Sequence, residues 1–203
     1  MSQHYNTYLA LGDSYTIGES LPLHDSFPYQ LVQLFRQKGL HFHAPEIVAQ
    51  TGWTTGELAT HLLHTRLNEQ YDYVTLLIGV NNQYRSYSTA DYKEDFVFLL
   101  NKALHFAGER PERVIVLSIP DWGVTPFATD RDREKIAQEI DAFNAINRTV
   151  SQQKGVQYVD ITPGTREAAH EKSLLAADGL HYSAAEHGRW ASLVATCIVN
   201  THG

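Results

Sequence analysis

Cysteine is nearly absent from this chain: among 203 residues there is one, Cys197. A single thiol cannot close an internal disulfide, so the fold must be held by packing rather than by covalent cross-links. Cys197 falls on an apolar position of a helical pattern and reads as core. Long apolar runs are missing as well, and no segment approaches the length needed to cross a bilayer. Basic clusters are equally scarce: 16 Lys and Arg stand against 23 Asp and Glu, a formal net charge of −7. That balance leaves no electrostatic footprint for nucleic acid or an anionic membrane, and a small neutral or cationic ligand suits it better. No linker rich in Pro, Gly or Ser, no composition shift and no repeat divides the sequence, so residues 1–203 are expected to form one domain. The opening Met1-Ser2-Gln3-His4-Tyr5 lacks the charged and apolar regions of a secretory leader. Cytoplasmic residence is therefore the expectation, with a secreted form whose leader has been removed as the alternative.

What is present is a repeated pattern: a short apolar run, a glycine, then polar residues. Tyr8-Leu9-Ala10-Leu11 stops at Gly12 and hands over to Asp13-Ser14, and Tyr73-Val74-Thr75-Leu76-Leu77-Ile78 stops at Gly79 before Val80-Asn81-Asn82. Continuous apolar runs of this length suit strands of a parallel sheet buried on both faces. Glu46 to Gln50 leads into Thr51-Gly52-Trp53, Arg113 to Ile119 leads into an aromatic-rich loop, and Val156 to Ile161 makes a fifth strand candidate. Between them lie helical patterns. Ser26-Phe27-Pro28 opens one carrying Leu31, Leu34 and Phe35, Thr54 to Glu57 has the spacing of a capping box, and Ser88 to Asp91 begins a third. Ile136, Ile140, Phe143, Ile146 and Val150 mark a fourth, and Ser183 to Glu186 offers a second capping box before the closing helix. The stretch from Tyr15 to Asp25 reads as loop. Five strands alternating with helices predict an α/β fold with a mostly parallel sheet covered on both faces.

In such a sheet ligands bind at the carboxyl edge, where Ser14 would sit. A serine hydroxyl is a weak nucleophile until a base takes its proton, and His181 is the candidate base. Asp178, three residues earlier across a glycine turn, can fold back toward Nδ1, fix the tautomer and stabilise the imidazolium. Acyl transfer also needs donors for the developing oxyanion. Three are available after strands: the backbone N–H of Ser14, the backbone N–H of Gly52 and the side-chain amide of Asn81. Taken singly, each block has an ordinary reading as a turn, a helix cap or a solvated loop. Their order and their shared edge favour catalysis.

Taken together, Gly12-Asp13-Ser14, the isolated Gly52, Gly79-Val80-Asn81 and Asp178-Gly179-Leu180-His181 resemble, in order, the four blocks of the SGNH (GDSL-type) hydrolase superfamily. The resemblance spans nearly the whole chain. It implies a flavodoxin-like three-layer α/β/α fold with a five-stranded parallel sheet of order 2-1-3-4-5, and hydrolysis of carboxylic esters without metal or other cofactor. It also implies Ser14 as nucleophile, Asp178 and His181 as its partners, and Ser14, Gly52 and Asn81 as the oxyanion hole. One departure stands out: many members have Asp where this chain has Asn82, which touches local orientation more than the oxyanion role of Asn81. The glycine-x-serine-x-glycine elbow of α/β-hydrolases is absent around Ser14.

The eleven histidines include His61 and His64 on one helical face, and His41 with His43 in an alternating segment, but neither pair has a nearby third ligand. Tyr15, Trp53, Trp122 and Tyr182 are the aromatics expected around the pocket, with Tyr84 and Tyr87 close by, to receive a sugar ring, an aryl group or an acyl group. No apolar loop announces an acyl-chain tunnel, so an acetyl or other short-chain ester is the expected small-molecule substrate. A lysophospholipase or thioesterase acting on longer acyl chains, an acyltransferase and a non-catalytic carbohydrate-binding relative are the alternatives.

Overall fold

The computed structural model describes residues 5–200; the leader reading at Met1 to His4 lies outside the described residues. Five strands, β1 (Tyr8–Gly12), β2 (Glu46–Ala49), β3 (Tyr73–Leu77), β4 (Val114–Leu117) and β5 (Gln157–Val159), form one sheet of order β2-β1-β3-β4-β5. Every pairing is parallel, with Leu9 beside Glu46 on one side and Val74 on the other. This is the expected order. The three inner strands are buried along their whole length, whereas Glu46 and Gln157 on the two edge strands are only partly covered. Continuous apolar runs thus mark the centre of the sheet, and mixed runs its edges.

The crossovers supply α2 (Phe27–Gln37), α3 (Thr55–His64), α5 (Thr89–Phe106), α6 (Arg133–Lys154) and, last in the chain, α8 (Ala184–Asn200). Helices α2 and α8 pack on one another, α5 packs on both α3 and α6, and the sheet lies between these two groups. Thr54 and Glu57 form the predicted capping box at the start of α3, each side chain bonding the other's backbone N–H. Three single-turn helices complete the set: α1 (Ser14–Ile17), α4 (Val80–Tyr84) and α7 (Thr162–Arg166).

Several local expectations are corrected. The segment from Tyr15 to Asp25 is not all loop, since α1 and a 3-10 turn at Leu23–Asp25 occupy it. Four residues are too few to show a helical period in sequence. The capping box at Ser183 is not formed: the Ser183 N–H donates to the Leu174 carbonyl at 2.8 Å, and Glu186 turns instead to the Trp190 indole at 2.9 Å and to Arg189. A buried indole donor and a nearby guanidinium outcompete the cap for that carboxylate. Cys197 is only half-buried, at the edge of the core, and its Sγ lies 3.4 Å from Gln157 Oε1.

Candidate active site

Gly12 ends β1 where no side chain fits: a Cβ there would lie 2.0 Å from Thr16 Oγ1 and 2.4 Å from the Leu77 carbonyl oxygen. The chain turns sharply at this point. Asp13 accepts the Tyr15 N–H at 3.0 Å and caps α1, which sets Ser14 at the first position of that helix. The peptide N–H of Ser14 consequently has no acceptor within the helix. Burial pushes the Asp13 carboxyl up to about 7, partly offset by the bond from Tyr15. Ser14 is 5 % exposed and His181 is 8 % exposed, so both are more enclosed than surface loop residues, yet both line the same cleft.

The turn from Asp178 to His181 is built by the aspartate itself. Its Oδ1 accepts the backbone N–H groups of Leu180 and His181, both at 2.9 Å, while Gly179 takes the left-handed conformation (φ +69°). Its Oδ2 lies 2.6 Å from His181 Nδ1 and receives the Ser20 hydroxyl at 2.7 Å. Burial alone would raise the Asp178 carboxyl. The hydrogen bonds from Ser20, from the imidazole and from the two peptide groups outweigh it, and the pKa is held well below the usual carboxylate range. An ionised Oδ2 can only accept, so Nδ1 carries the proton and Nε2 presents its lone pair. The Tyr15 ring meets the imidazole edge-on at 5.4 Å between centroids and backs it from the core. Among the described residues no hydrogen bond joins Ser14 Oγ to His181; in resting enzymes such a contact is often long and tightens with substrate.

The opposite wall of the cleft is the loop between β2 and α3. Gly52 takes φ +83°, and among the described residues its N–H donates to no protein acceptor. Helix α4 holds this loop peptide by peptide. Asn81 Nδ2 donates to the Trp53 carbonyl at 2.9 Å, and Asn82 Oδ1 accepts the Thr55 N–H at 3.0 Å. Arg85, which follows α4, donates to the Gly52 carbonyl at 2.6 Å. Positions 81 and 85 lie one helical turn apart, so α4 and the residue that follows it present both side chains to the loop. One hydrogen of the Asn81 amide is used in that grip and the other is left over. Asn82, in the place where many relatives carry Asp, is fully buried, and its Nδ2 donates to Thr55 Oγ1 at 2.7 Å. That hydroxyl in turn donates to Asp95 at 3.0 Å, a relay that needs an amide, since a carboxylate could not donate to it.

The cleft measures about 180 Å³ and brings together Ser14, Gly52, Asn81 and His181. Of the four expected aromatics, Tyr15 and Trp122 line it, joined by Tyr84 and Phe127. The Trp122 indole donates to Gln83 at 2.7 Å, which locks its ring against the cleft. Trp53 and Tyr182 lie elsewhere. Trp53 sits in a neighbouring depression with Tyr87, its ring 4.7 Å from that of His61. Tyr182 is fully buried, and its hydroxyl donates to the Asp121 carbonyl at 2.9 Å. An isolated antiparallel bridge to Leu175 holds Tyr182 in place there. Phe127, Val80 and Leu180 carry no sequence signal, since an apolar residue in a loop reads the same whether it lines a cleft or a core.

A comparison with known families matches residues 10–189 to the GDSL-like Lipase/Acylhydrolase family. The chain belongs to that family. No curated protein matches the chain. Among solved structures, the GDSL-family chain superposes on TesA with a TM-score of 0.73 at 19% identity, covering 96% of this chain and 99% of that one. The lipase/acylhydrolase from Enterococcus faecalis gives a TM-score of 0.73 at 20% identity, with 96% of each chain covered. Axe2, an acetylxylan esterase from Geobacillus stearothermophilus, gives 0.71 at 19% identity, covering 98% of this chain and 96% of that one. At these identities the likeness speaks for the fold, and the GDSL assignment rests on the family match.

Proposed function

We propose that this GDSL-family hydrolase cleaves carboxylic esters through an acyl-enzyme formed on Ser14. The observation that carries the reading is the 2.6 Å pair between Asp178 Oδ2 and His181 Nδ1, which leaves Nε2 as a base in the cleft that also holds Ser14. Nε2 takes the Ser14 proton as Oγ attacks the ester carbonyl. The resulting oxyanion is met by the N–H groups of Ser14 and Gly52 and by the remaining amide hydrogen of Asn81. The imidazolium, stabilised by Asp178, returns the proton to the departing alkoxide and frees the alcohol. Water, deprotonated by the same nitrogen, then releases the acid and restores Ser14. The substrate is a small ester with an acetyl or other short acyl group, in keeping with a cleft of about 180 Å³ walled by Tyr84, Trp122 and Phe127. Axe2, whose fold this chain shares, is named an acetylxylan esterase.

The test is hydrolysis of p-nitrophenyl acetate, butyrate and octanoate by the purified protein beside its Ser14→Ala variant. Turnover fastest on acetate or butyrate and abolished in the variant is the expected result. Serine-dependent turnover fastest on octanoate would move the substrate to longer acyl chains, as in a lysophospholipase or thioesterase. Failure of Ser14 to react with a fluorophosphonate probe, together with no ester turnover, would overturn the mechanism in favour of a binding protein.

A further inference from the structure

The turn that directly follows α1 makes two contacts for which the acyl-transfer scheme has no use. Gly18 closes α1 in the left-handed conformation, and Ser20, two residues on, takes it again with φ +66°. For a residue with a Cβ this region is costly, and glycine would occupy it freely. The two side chains after Gly18 then diverge. Glu19 receives the Thr51 hydroxyl, in the loop that carries Gly52, and Ser20 Oγ donates to Asp178 Oδ2 at 2.7 Å.

The second contact falls on the oxygen that steers the imidazole. Asp178 Oδ1 is saturated by the two peptide N–H groups of its own turn, so it cannot exchange roles with Oδ2. Oδ2 holds His181 Nδ1 on one side and the Ser20 hydroxyl on the other. The donors come from opposite ends of the chain, and between them they set the plane of the carboxylate. Ser20 is exposed, so water could occupy its place as a donor. A water molecule would not be tied to the backbone that also carries Ser14, six residues earlier.

We propose that Ser20 is a positioning residue of the hydrolytic site, holding the Asp178 carboxylate in the plane that keeps His181 aimed at Ser14. The inference rests on the Ser14–His181–Asp178 reading above. It also accounts for a serine, rather than glycine, at a left-handed position: strain of this kind persists where the side chain has work that the relaxed residue could not do.

The experiment compares Ser20→Gly, Ser20→Ala and Ser14→Ala in the full chain. Glycine relaxes the backbone, so Ser20→Gly should melt no lower than the wild type. Its kcat on p-nitrophenyl acetate should nevertheless fall about three- to tenfold with KM within about twofold, as for loss of one partly solvated bond to a charged group. Ser20→Ala should show the same fall in kcat with a lower melting temperature. In both variants the downfield proton resonance of His181 Nδ1–H should broaden or move upfield. Wild-type kcat and an unchanged resonance in Ser20→Gly would overturn the proposal while leaving the triad reading intact. Full turnover in Ser14→Ala would overturn both.

Discussion

At the scale of single residues, two substitutions separate orientation from electrostatics. In Asp178→Asn the new side chain can still accept the Leu180 and His181 N–H groups through its oxygen, so the turn should survive. Its amide then faces Nδ1 as a donor and forces the proton to Nε2, where it would block the proposed base step. The expected loss in kcat is about a thousandfold or more, with thermal stability little changed. Retention of more than a tenth of wild-type turnover would remove Asp178 from the mechanism. Asn81→Ala deletes the proposed oxyanion donor, and a donor in that role acts mainly on the transition state, so kcat should drop about a hundredfold or more while KM moves little. A change confined to KM would assign Asn81 to substrate binding, or to its grip on the Trp53 carbonyl, instead.

At the scale of elements, the site depends on how α4 presents itself to the β2–α3 loop. The relay Asn82 to Thr55 to Asp95 runs in one direction because only the amide at its head can donate. Asn82→Asp would set two carboxylates against a single hydroxyl proton in a buried place, costing about 1–3 kcal/mol of stability. A second change, Asp95→Asn, supplies a side chain that can donate back and should recover most of that loss. Chemical denaturation of the two single variants and the double variant forms the cycle, and additive losses would refute the relay. This element also marks a limit of sequence reading. The strands were legible because short apolar runs, two of them ending in glycine, are local patterns, and the blocks around Ser14, Asn81 and His181 were legible for the same reason. Helix α4 is one turn long and shows no period. The role of Arg85 as a brace for Gly52 depends on a neighbour 33 residues away, which no local pattern encodes.

At the scale of the whole molecule, two buried groups pull the response to pH in opposite directions. His187, on α8, is fully buried and accepts the Phe27 N–H at 3.1 Å through Nδ1. Burial, and then the nearby His181, lowers its pKa from 6.5 to about 3. The unfolded chain therefore binds the extra proton between those values, and His187 withdraws stability as pH falls through that window. Asp13 does the reverse: with its pKa raised from 3.8 to about 7, the folded chain binds the extra proton, and stability declines as pH rises through that range. The two slopes oppose each other between about pH 4 and 6.5, so urea midpoints should be nearly level there. Below about pH 4 Asp13 no longer offsets the loss at His187, and Asp178, whose pKa is depressed, adds to it as its carboxylate takes up a proton. Asp13→Asn keeps an oxygen for the Tyr15 N–H but cannot titrate. Its midpoints should climb from about pH 4 to 6.5 and then level off, and an unchanged profile would contradict the assignment.

The sequence by itself determined the alternation of strands and helices, the glycine that frees Ser14 from β1, and the blocks that carry the proposed nucleophile, base and oxyanion donors. Each is a matter of residue type at short spacing, where backbone geometry leaves few choices. Only the tertiary structure decided which aromatics wall the cleft. Tyr15 and Trp122 line it, while Tyr182 turns into the core and Trp53 into a neighbouring depression. Only the tertiary structure, again, set Ser20 against Asp178 and withdrew Glu186 from its cap to serve Trp190. Those outcomes depend on competition among partners distant in sequence or on other faces of the same element, and that competition is resolved only when the chain is packed.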